Sequence, residues 1–88
     1  MKVKIDKSFE KDTDKINDVD LLHKIATVIE HCINANSLQD IQHFKKLSGY
    51  KSFFRIKIGY YRIGLKLEND ELIFERILHR KDIYKKFP

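Results

Sequence analysis

Four side chains in the second half of the chain could together cleave RNA without a metal ion. Such cleavage requires that the ribose 2′-hydroxyl lose a proton, that the phosphorane be stabilised and that the 5′-oxygen gain a proton. Arg55 and Arg62 could bind phosphate oxygens and neutralise the charge that develops on them. Lys57 could act as a base or as an electrostatic partner, and the imidazole of His79 is suited to proton transfer near neutrality.

The stretch from Phe53 to Glu68 predicts how three of these residues are positioned. Apolar and polar residues alternate on both sides of Gly59, which is the pattern of two half-buried strands joined at a turn. A two-residue turn at Gly59 and Tyr60 places Lys57 directly opposite Arg62. Two opposed cations on a sheet repel each other unless an anion lies between them, and we favour the anion.

A second turn signal, Asn69-Asp70, extends this register to the last predicted strand. If this turn also has two residues, the pairs are Gly64 with Glu75, Arg62 with Ile77, and Tyr60 with His79. One face of the sheet then presents Arg55, Lys57, Tyr60, Arg62, Glu75 and His79. The other face presents apolar side chains to the helices: Phe54, Ile56, Ile58, Tyr61, Ile63, Leu65, Phe74 and Leu78.

Several of these residues have a structural interpretation beside the functional one. Tyr60 and Tyr84 could stack on unpaired RNA bases, although Tyr84 could equally pack against the sheet. Glu75 could act as a base or form an ion pair with Arg55. His79 could serve only as a hydrogen-bonding group at the end of a strand.

The remaining elements complete an α+β domain with the order β-α-α-β-β-β. A short strand contains Val3 and Ile5, Ser8 is expected to cap a helix over residues 9–17, and Asp18 or Asp20 is expected to cap a second helix that ends near Asn36. We predict one domain over residues 1–88, with the two helices packed on a four-stranded antiparallel sheet. The predicted core contains Leu22, Ile25, Ile29, Ile56, Ile63 and Phe74.

The charge of the chain is concentrated in the half that carries the alternating strands. Residues 1–44 contain six Lys/Arg and eight Asp/Glu, a net charge of −2, whereas residues 45–88 contain twelve and five, a net charge of +7. A basic sheet favours a polyanion as partner, most often nucleic acid, although a cationic surface can also serve solubility alone.

The composition and motifs of the chain argue against several other classes of protein. The single Cys32 cannot form an internal disulfide and fits a reducing cytoplasm. The chain has no apolar run long enough to cross a bilayer, no signal peptide, no Gly-rich phosphate loop and no histidine spacing typical of a metal site. We therefore expect a cytoplasmic protein without metal, cofactor or membrane contact.

Three segments resemble the RelE/ParE-like toxins of type II toxin–antitoxin modules. They are Lys46-Leu-Ser-Gly49, Phe54-Arg-Ile-Lys-Ile-Gly-Tyr-Tyr-Arg-Ile63 and Ile77-Leu-His-Arg-Lys-Asp-Ile-Tyr84. The resemblance covers nearly the whole chain and implies the same element order. It also implies a cognate antitoxin as partner and, in the RelE branch, ribosome-dependent cleavage of mRNA.

The resemblance also implies roles for individual residues. The positions that match the mRNA-contacting or mRNA-cleaving residues of the RelE branch are Arg55, Lys57, Arg62, Arg80 and Tyr84, with His79 beside them. Arg55 departs from the pattern because that branch tends to have lysine there, and Gly64 replaces a β-branched residue, which opens a hollow in the sheet. Two alternatives remain: a ParE-type inhibitor of DNA gyrase without nuclease activity, and a non-catalytic nucleic-acid-binding relative.

Overall fold

The computed structural model describes residues 1–88 as three helices and a five-stranded sheet. The strands are β1 (Lys2–Ile5), β2 (Phe44–Lys46), β3 (Phe53–Ile58), β4 (Tyr61–Glu68) and β5 (Glu71–His79). The helices are α1 (Lys7–Asp14), α2 (Val19–Asn34) and α3 (Ile83–Lys86), and a 3₁₀ turn spans Leu38–Asp40. No helix is long and apolar enough to span a membrane.

Acidic residues cap both long helices at their N-termini. Asp18 caps α2 as predicted, because its carboxylate accepts a hydrogen bond from the Leu21 amide at 3.1 Å. The cap of α1 is Asp6 rather than the predicted Ser8, and the carboxylate of Asp6 accepts a hydrogen bond from the Ser8 amide at 3.3 Å. Hydrogen bonds from the Ser8 hydroxyl and the Ser8 amide lower the pKa of Asp6, since they favour its charged form.

The sheet has the order β1-β5-β4-β3-β2 and is mixed. The α+β class and the packing of the two N-terminal helices on one sheet agree with the prediction, but the four-stranded antiparallel sheet was wrong in two respects. The short β2 adds a fifth strand, antiparallel to β3, and β1 pairs with β5 in parallel. The last strand, β5, therefore lies inside the sheet, which fits its apolar residues on both faces.

The main core lies between the sheet and the helices α1 and α2, on what we call the inner face. Ile25, Ile56, Ile63 and Phe74 are buried there as predicted, while Leu22 and Ile29 are only partly buried against the cluster. A smaller cluster lies on the opposite, outer face, where Leu47, Ile83 and Phe87 are buried. The C-terminal segment that carries α3 thus packs on the side of the sheet that α1 and α2 leave uncovered.

Candidate functional site

Four cations lie on the outer face of β2, β3 and β4. Lys57 pairs directly with Arg62, and Arg55 pairs with Gly64 on one side and with Lys45 on the other. Directly opposed residues of antiparallel strands point to the same face, so these side chains form one surface. We call Lys45, Arg55, Lys57 and Arg62 the basic face. The predicted register of the first hairpin is confirmed, including the opposition of Lys57 and Arg62.

No carboxylate neutralises the basic face. The two ion pairs of the structure join Lys66 to Glu68 and Arg76 to Asp12. The Arg62 guanidinium instead folds over the hairpin turn, where its Nη1 donates hydrogen bonds to the carbonyl oxygens of Gly59 and Tyr61, each at 2.9 Å. These bonds fix the position of Arg62 and leave its other guanidinium N–H groups available to an anion.

A β-bulge changes the pairing of the second hairpin. Next to the turn, β4 and β5 pair as a two-residue turn requires, from Glu68 opposite Glu71 to Leu65 opposite Phe74. Between Leu65 and Gly64 the register then shifts by one residue. The observed pairs beyond the bulge are Gly64 with Arg76, Ile63 with Ile77, Arg62 with Leu78, and Tyr61 with His79. The predicted pairs of Gly64 with Glu75, Arg62 with Ile77, and Tyr60 with His79 were therefore wrong.

The shift moves three side chains of β5 relative to the prediction. Ile77 replaces Leu78 in the core under the helices, and Leu78 packs instead against the outer cluster. His79 shares the face of Tyr61 rather than that of Arg62. Glu75 forms no ion pair with Arg55, and its partial burial raises the pKa of its carboxyl group, while the nearby Lys66 opposes that shift.

The hairpin turn nevertheless brings three of the predicted site residues together. The Tyr60 ring stacks beside the His79 imidazole with a centroid distance of 6.3 Å, and the Arg80 guanidinium carbon lies 5.3 Å from the Tyr60 centroid. The Arg80 amide also donates a hydrogen bond to the Tyr60 carbonyl at 2.7 Å. We call Tyr60, His79 and Arg80 the Tyr60 cluster.

One hydrogen bond to the His79 ring distinguishes its two nitrogens. Its Nδ1 accepts a hydrogen bond from the Lys81 amide at 3.2 Å, so the neutral imidazole carries its proton on Nε2. The Tyr60 side chain is 68% exposed and could stack on an unpaired base. Arg62 hydrogen-bonds the carbonyls of the same turn that carries Tyr60, so the basic face and the Tyr60 cluster meet at Gly59–Tyr60.

Tyr84 lies on α3, and its exposure is set by the packing of its neighbours. Ile83 and Phe87 are buried against the outer face, which leaves the Tyr84 side chain 61% exposed. Phe87 fills the hollow predicted at Gly64. The C-terminal segment thus lies beside Arg55, the cross-strand neighbour of Gly64. This contact was not predicted, although a glycine in mid-strand is a signal of close approach by another part of the chain.

No group of three or more His, Cys, Asp or Glu side chains is arranged to hold a metal ion. Cys32 is fully buried, and burial raises the pKa of its thiol to about 11. This thiol belongs to the core between α2 and the sheet and takes no part in the basic face.

A match to a family model identifies the class of protein to which the chain belongs. Residues 3–84 match the family model described as the ParE toxin of the type II toxin–antitoxin system parDE. The chain belongs to the RelE/ParE family of type II toxin–antitoxin toxins.

Two relatives with more than 40% identity to the chain are RelE toxins by name. The chain is 44% identical to "Toxin RelE3" of Methanocaldococcus jannaschii over an alignment of 89 positions, which covers all of both chains. It superposes with a TM-score of 0.80 on a chain of the RelB–RelE antitoxin–toxin complex from Methanococcus jannaschii, at 41% identity, covering 97% of this chain and 99% of that one. The RelBE2 toxin–antitoxin complex from Mycobacterium tuberculosis has a TM-score of 0.69 at 17% identity over 90% of this chain and 96% of that one, which shows the shared fold.

Proposed function

We propose that this toxin is a metal-independent endoribonuclease that cleaves mRNA on the ribosome. The observation that carries the proposal is the opposition of Lys57 and Arg62 without a neutralising carboxylate. Two like charges placed face to face cost stability, and a phosphate group between them would remove that cost. Similarity to a protein named RelE3 and the mRNA cleavage that the RelE resemblance implies support the same activity.

Each residue around the Gly59–Tyr60 turn has a role in the proposed reaction. Arg62 and Lys57 hold the scissile phosphate and stabilise the charge that develops on its oxygens in the transition state. The 2′-oxygen attacks phosphorus as its proton passes to a base. Lys57 is the candidate for this base on the basic face, and when Lys57 takes the proton, Arg62 alone supplies the positive charge at the phosphate. The P–O5′ bond breaks and the 5′-oxygen takes a proton, for which the protonated imidazole of His79 is the proposed donor through Nε2. The hydrogen bond from the Lys81 amide to Nδ1 must open when Nδ1 carries a proton.

The remaining residues of the proposed site bind the substrate. Arg55 binds a neighbouring phosphate, since it lies next to Lys57 on the same face with one residue between them. Tyr60 stacks on a base next to the scissile bond. The Arg80 guanidinium and the His79 ring, which both contact the Tyr60 ring, help to hold it in position. Tyr84, exposed on α3, contacts the RNA beyond Arg55.

A cognate antitoxin is the second proposed partner. The structural relative from Methanococcus jannaschii is a toxin in complex with its antitoxin, as is the relative from Mycobacterium tuberculosis. The half of this chain that contains the basic face carries a net charge of +7. An antitoxin that covers it would carry an acidic segment, and its association would be fast and sensitive to salt.

Inhibition of DNA gyrase is the second candidate function, because the family model that matches the chain describes ParE toxins. The two functions are separated by treating mRNA-programmed ribosomes and a gyrase supercoiling reaction with the same purified protein. Cleavage of ribosome-bound mRNA with unaffected supercoiling supports the proposal. Inhibited supercoiling without mRNA cleavage contradicts it and favours the gyrase function, and a protein inactive in both assays would be the non-catalytic relative.

A further inference from the structure

His79 and Asp82 line the same cavity, a space of about 260 Å³ beside the end of β5. They are the first and last residues of a tight turn, in which the Asp82 amide donates a hydrogen bond to the His79 carbonyl at 2.8 Å. The turn thus keeps the carboxylate of Asp82 close to the imidazole that the proposed reaction uses as an acid.

The Asp82 carboxylate has no partner in this structure. It stands at the N-cap position of α3 without accepting a hydrogen bond from the helix, and neither ion pair of the structure includes it. The residue is nevertheless partly buried. The charge of Asp82 therefore serves no contact that the fold itself requires.

The other ionisable groups around His79 offer it no free carboxylate. The charged side chains that line the cavity besides Asp82 are Asp12, Lys15, Arg76 and Lys86. Asp12 is already occupied, because it accepts hydrogen bonds from Arg76 and from the Ile77 amide. The groups on the other sides of the ring are Tyr60, Tyr61, Arg80 and Lys81. Asp82 is therefore the carboxylate available to a positively charged His79.

Protonation of His79 creates the need for such a partner. In the neutral ring, Nδ1 accepts a hydrogen bond from the Lys81 amide at 3.2 Å, and this bond is lost on protonation because both groups are then donors. The Nδ1–H of the imidazolium requires an acceptor instead. A carboxylate supplies a charge-assisted hydrogen bond that favours the charged ring and fixes its orientation, with Nε2 left to face the substrate.

We propose that Asp82 is the positioning residue of the general acid: its carboxylate accepts the Nδ1–H of protonated His79 and directs Nε2–H toward the leaving 5′-oxygen. The electron pair of the P–O5′ bond leaves with that oxygen, which takes the Nε2 proton. The imidazole becomes neutral with its remaining proton on Nδ1, and solvent protonates Nε2 again. The proposal rests on the proposed function for the reaction. The pairing of Asp82 with the charged ring is a property of the turn alone and can be measured without RNA.

The first measurement is NMR spectroscopy of the ¹⁵N-labelled full-length toxin without RNA, at about pH 6, where an ordinary histidine is partly charged. The imidazole ¹⁵N shifts give the ratio of charged to neutral His79. Asp82→Asn should lower this ratio about two- to fivefold, as expected for the loss of one partly exposed ion pair. Asp82→Glu keeps a carboxylate and should give a ratio above that of Asp82→Asn.

Asp70→Asn is the matched control for the loss of one negative charge. Asp70 is exposed in the turn that precedes β5, whereas His79 is the last residue of that strand. Asn tolerates the left-handed backbone of Asp70, whose φ is 63°. Asp70→Asn should therefore leave the His79 ratio at the parent value. Asp82→Asn should keep the urea midpoint of the parent, because it removes no hydrogen bond of the structure.

Cleavage of ribosome-bound mRNA is the second measurement. Asp82→Asn should lower kcat about tenfold with little change in KM, and its fall in rate at high pH should begin at a lower pH than in the parent. Asp70→Asn should keep the parent rate and pH profile.

Equal ratios of charged to neutral His79 in the parent and in Asp82→Asn would overturn the pairing, whatever the cleavage assay shows. A lowered ratio in Asp82→Asn together with the parent rate and pH profile would overturn the positioning role. A lowered ratio with slower, pH-shifted cleavage supports both. A parent protein that cleaves no mRNA would contradict the proposed function, while a lowered ratio in its Asp82→Asn variant would still support the pairing.

Discussion

The Phe87 ring lies directly against the backbone of Gly64 on the outer face of the sheet. A Cβ at position 64 would approach three atoms of the ring to 2.7–2.8 Å, a distance that requires the ring to move. Phe87 is 5% exposed and also packs edge-on against Phe53 at a centroid distance of 5.5 Å. This contact is therefore the anchor that holds α3, and with it Tyr84, beside the basic face.

The anchor predicts a specific coupling between the two residues. Gly64→Ala should cost about 1–3 kcal/mol of unfolding free energy because the added methyl group expels the ring. Phe87→Ala should cost about 2–4 kcal/mol through lost burial. The double variant should be clearly less destabilised than the sum of the single ones, since one contact is lost in both. Urea unfolding of the four proteins measures this, and additive costs would show that the contact is unimportant.

Removal of the buried Asp12 carboxylate should destabilise the protein more than removal of an exposed one. It is 7% exposed and accepts hydrogen bonds from Arg76 Nε at 2.8 Å, from Arg76 Nη2 at 3.1 Å and from the Ile77 amide at 3.0 Å. Asp12→Ala should lower the unfolding free energy by about 3 kcal/mol, because it leaves a cation and a buried N–H unpaired. Asp14→Ala, at an exposed position of the same helix, is the control and should change it by under about 0.5 kcal/mol. Equal effects in urea unfolding would refute this assignment.

Glu75 should make the stability of the protein depend on pH. Its pKa is raised above the usual 4.5 by burial, so the folded chain holds this proton more tightly than the unfolded chain. The free energy of unfolding should then fall as the pH rises through the interval between the unfolded and the folded pKa. Glu75→Gln removes the effect and should raise the Tm at pH 7, with no gain below about pH 4.

The control for Glu75 is Glu30→Gln at an exposed position of α2. Thermal unfolding followed by circular dichroism between pH 3.5 and 7 compares the two variants with the parent. A Glu75→Gln protein that is less stable than the parent at pH 7 would mean that the carboxylate is stabilising, contrary to this prediction.

His79 is predicted to donate the proton to the leaving 5′-oxygen. His79→Ala should slow cleavage of ribosome-bound mRNA by about 10²–10⁴-fold and remove the fall in rate that deprotonation of the acid causes at high pH. His31→Ala, which removes an exposed histidine on α2 far along the chain from the Tyr60 cluster, should keep the parent rate and pH profile. A His79→Ala protein with a normal pH profile and a rate within a few-fold of the parent would assign His79 to packing against Tyr60 and Tyr61.

The sequence predicted local features well and long-range ones poorly. The alternation around Gly59 gave the register of β3 and β4, and Asp18 gave the start of α2, because both depend on neighbouring residues. The parallel pairing of β1 with β5 joins segments about 70 residues apart, and alternation in a strand carries no information on its direction. β2 has only three residues, too few for a periodic pattern.

The bulge between Gly64 and Leu65 had the largest consequence for the candidate site. It lies next to the point where Asp12 of α1 hydrogen-bonds the Arg76 side chain and the Ile77 amide, so a helix distant in sequence supports the shifted register. No pattern within β4 or β5 indicates that contact. The predicted grouping of Lys57 with Arg62 belongs to the pairing of β3 with β4, which the bulge does not alter, and it holds. The predicted pairing of Tyr60 with His79 depends on the register of β4 with β5 beyond the bulge and does not hold, although the turn still brings the two rings together.

The central claim is that Arg62, opposite Lys57, stabilises the scissile phosphate, and cleavage of mRNA in programmed ribosomes by purified variants tests it most directly. Arg62→Ala should reduce the rate by about 10²-fold or more, in line with the loss of a transition-state charge contact. Its unfolding free energy should stay within about 1 kcal/mol of the parent value, because relief of the repulsion from Lys57 offsets the loss of the two hydrogen bonds that Arg62 donates to the turn. Lys11→Ala, which removes an exposed cation from α1, should cleave at the parent rate. Full cleavage activity of a folded Arg62→Ala protein would contradict the account.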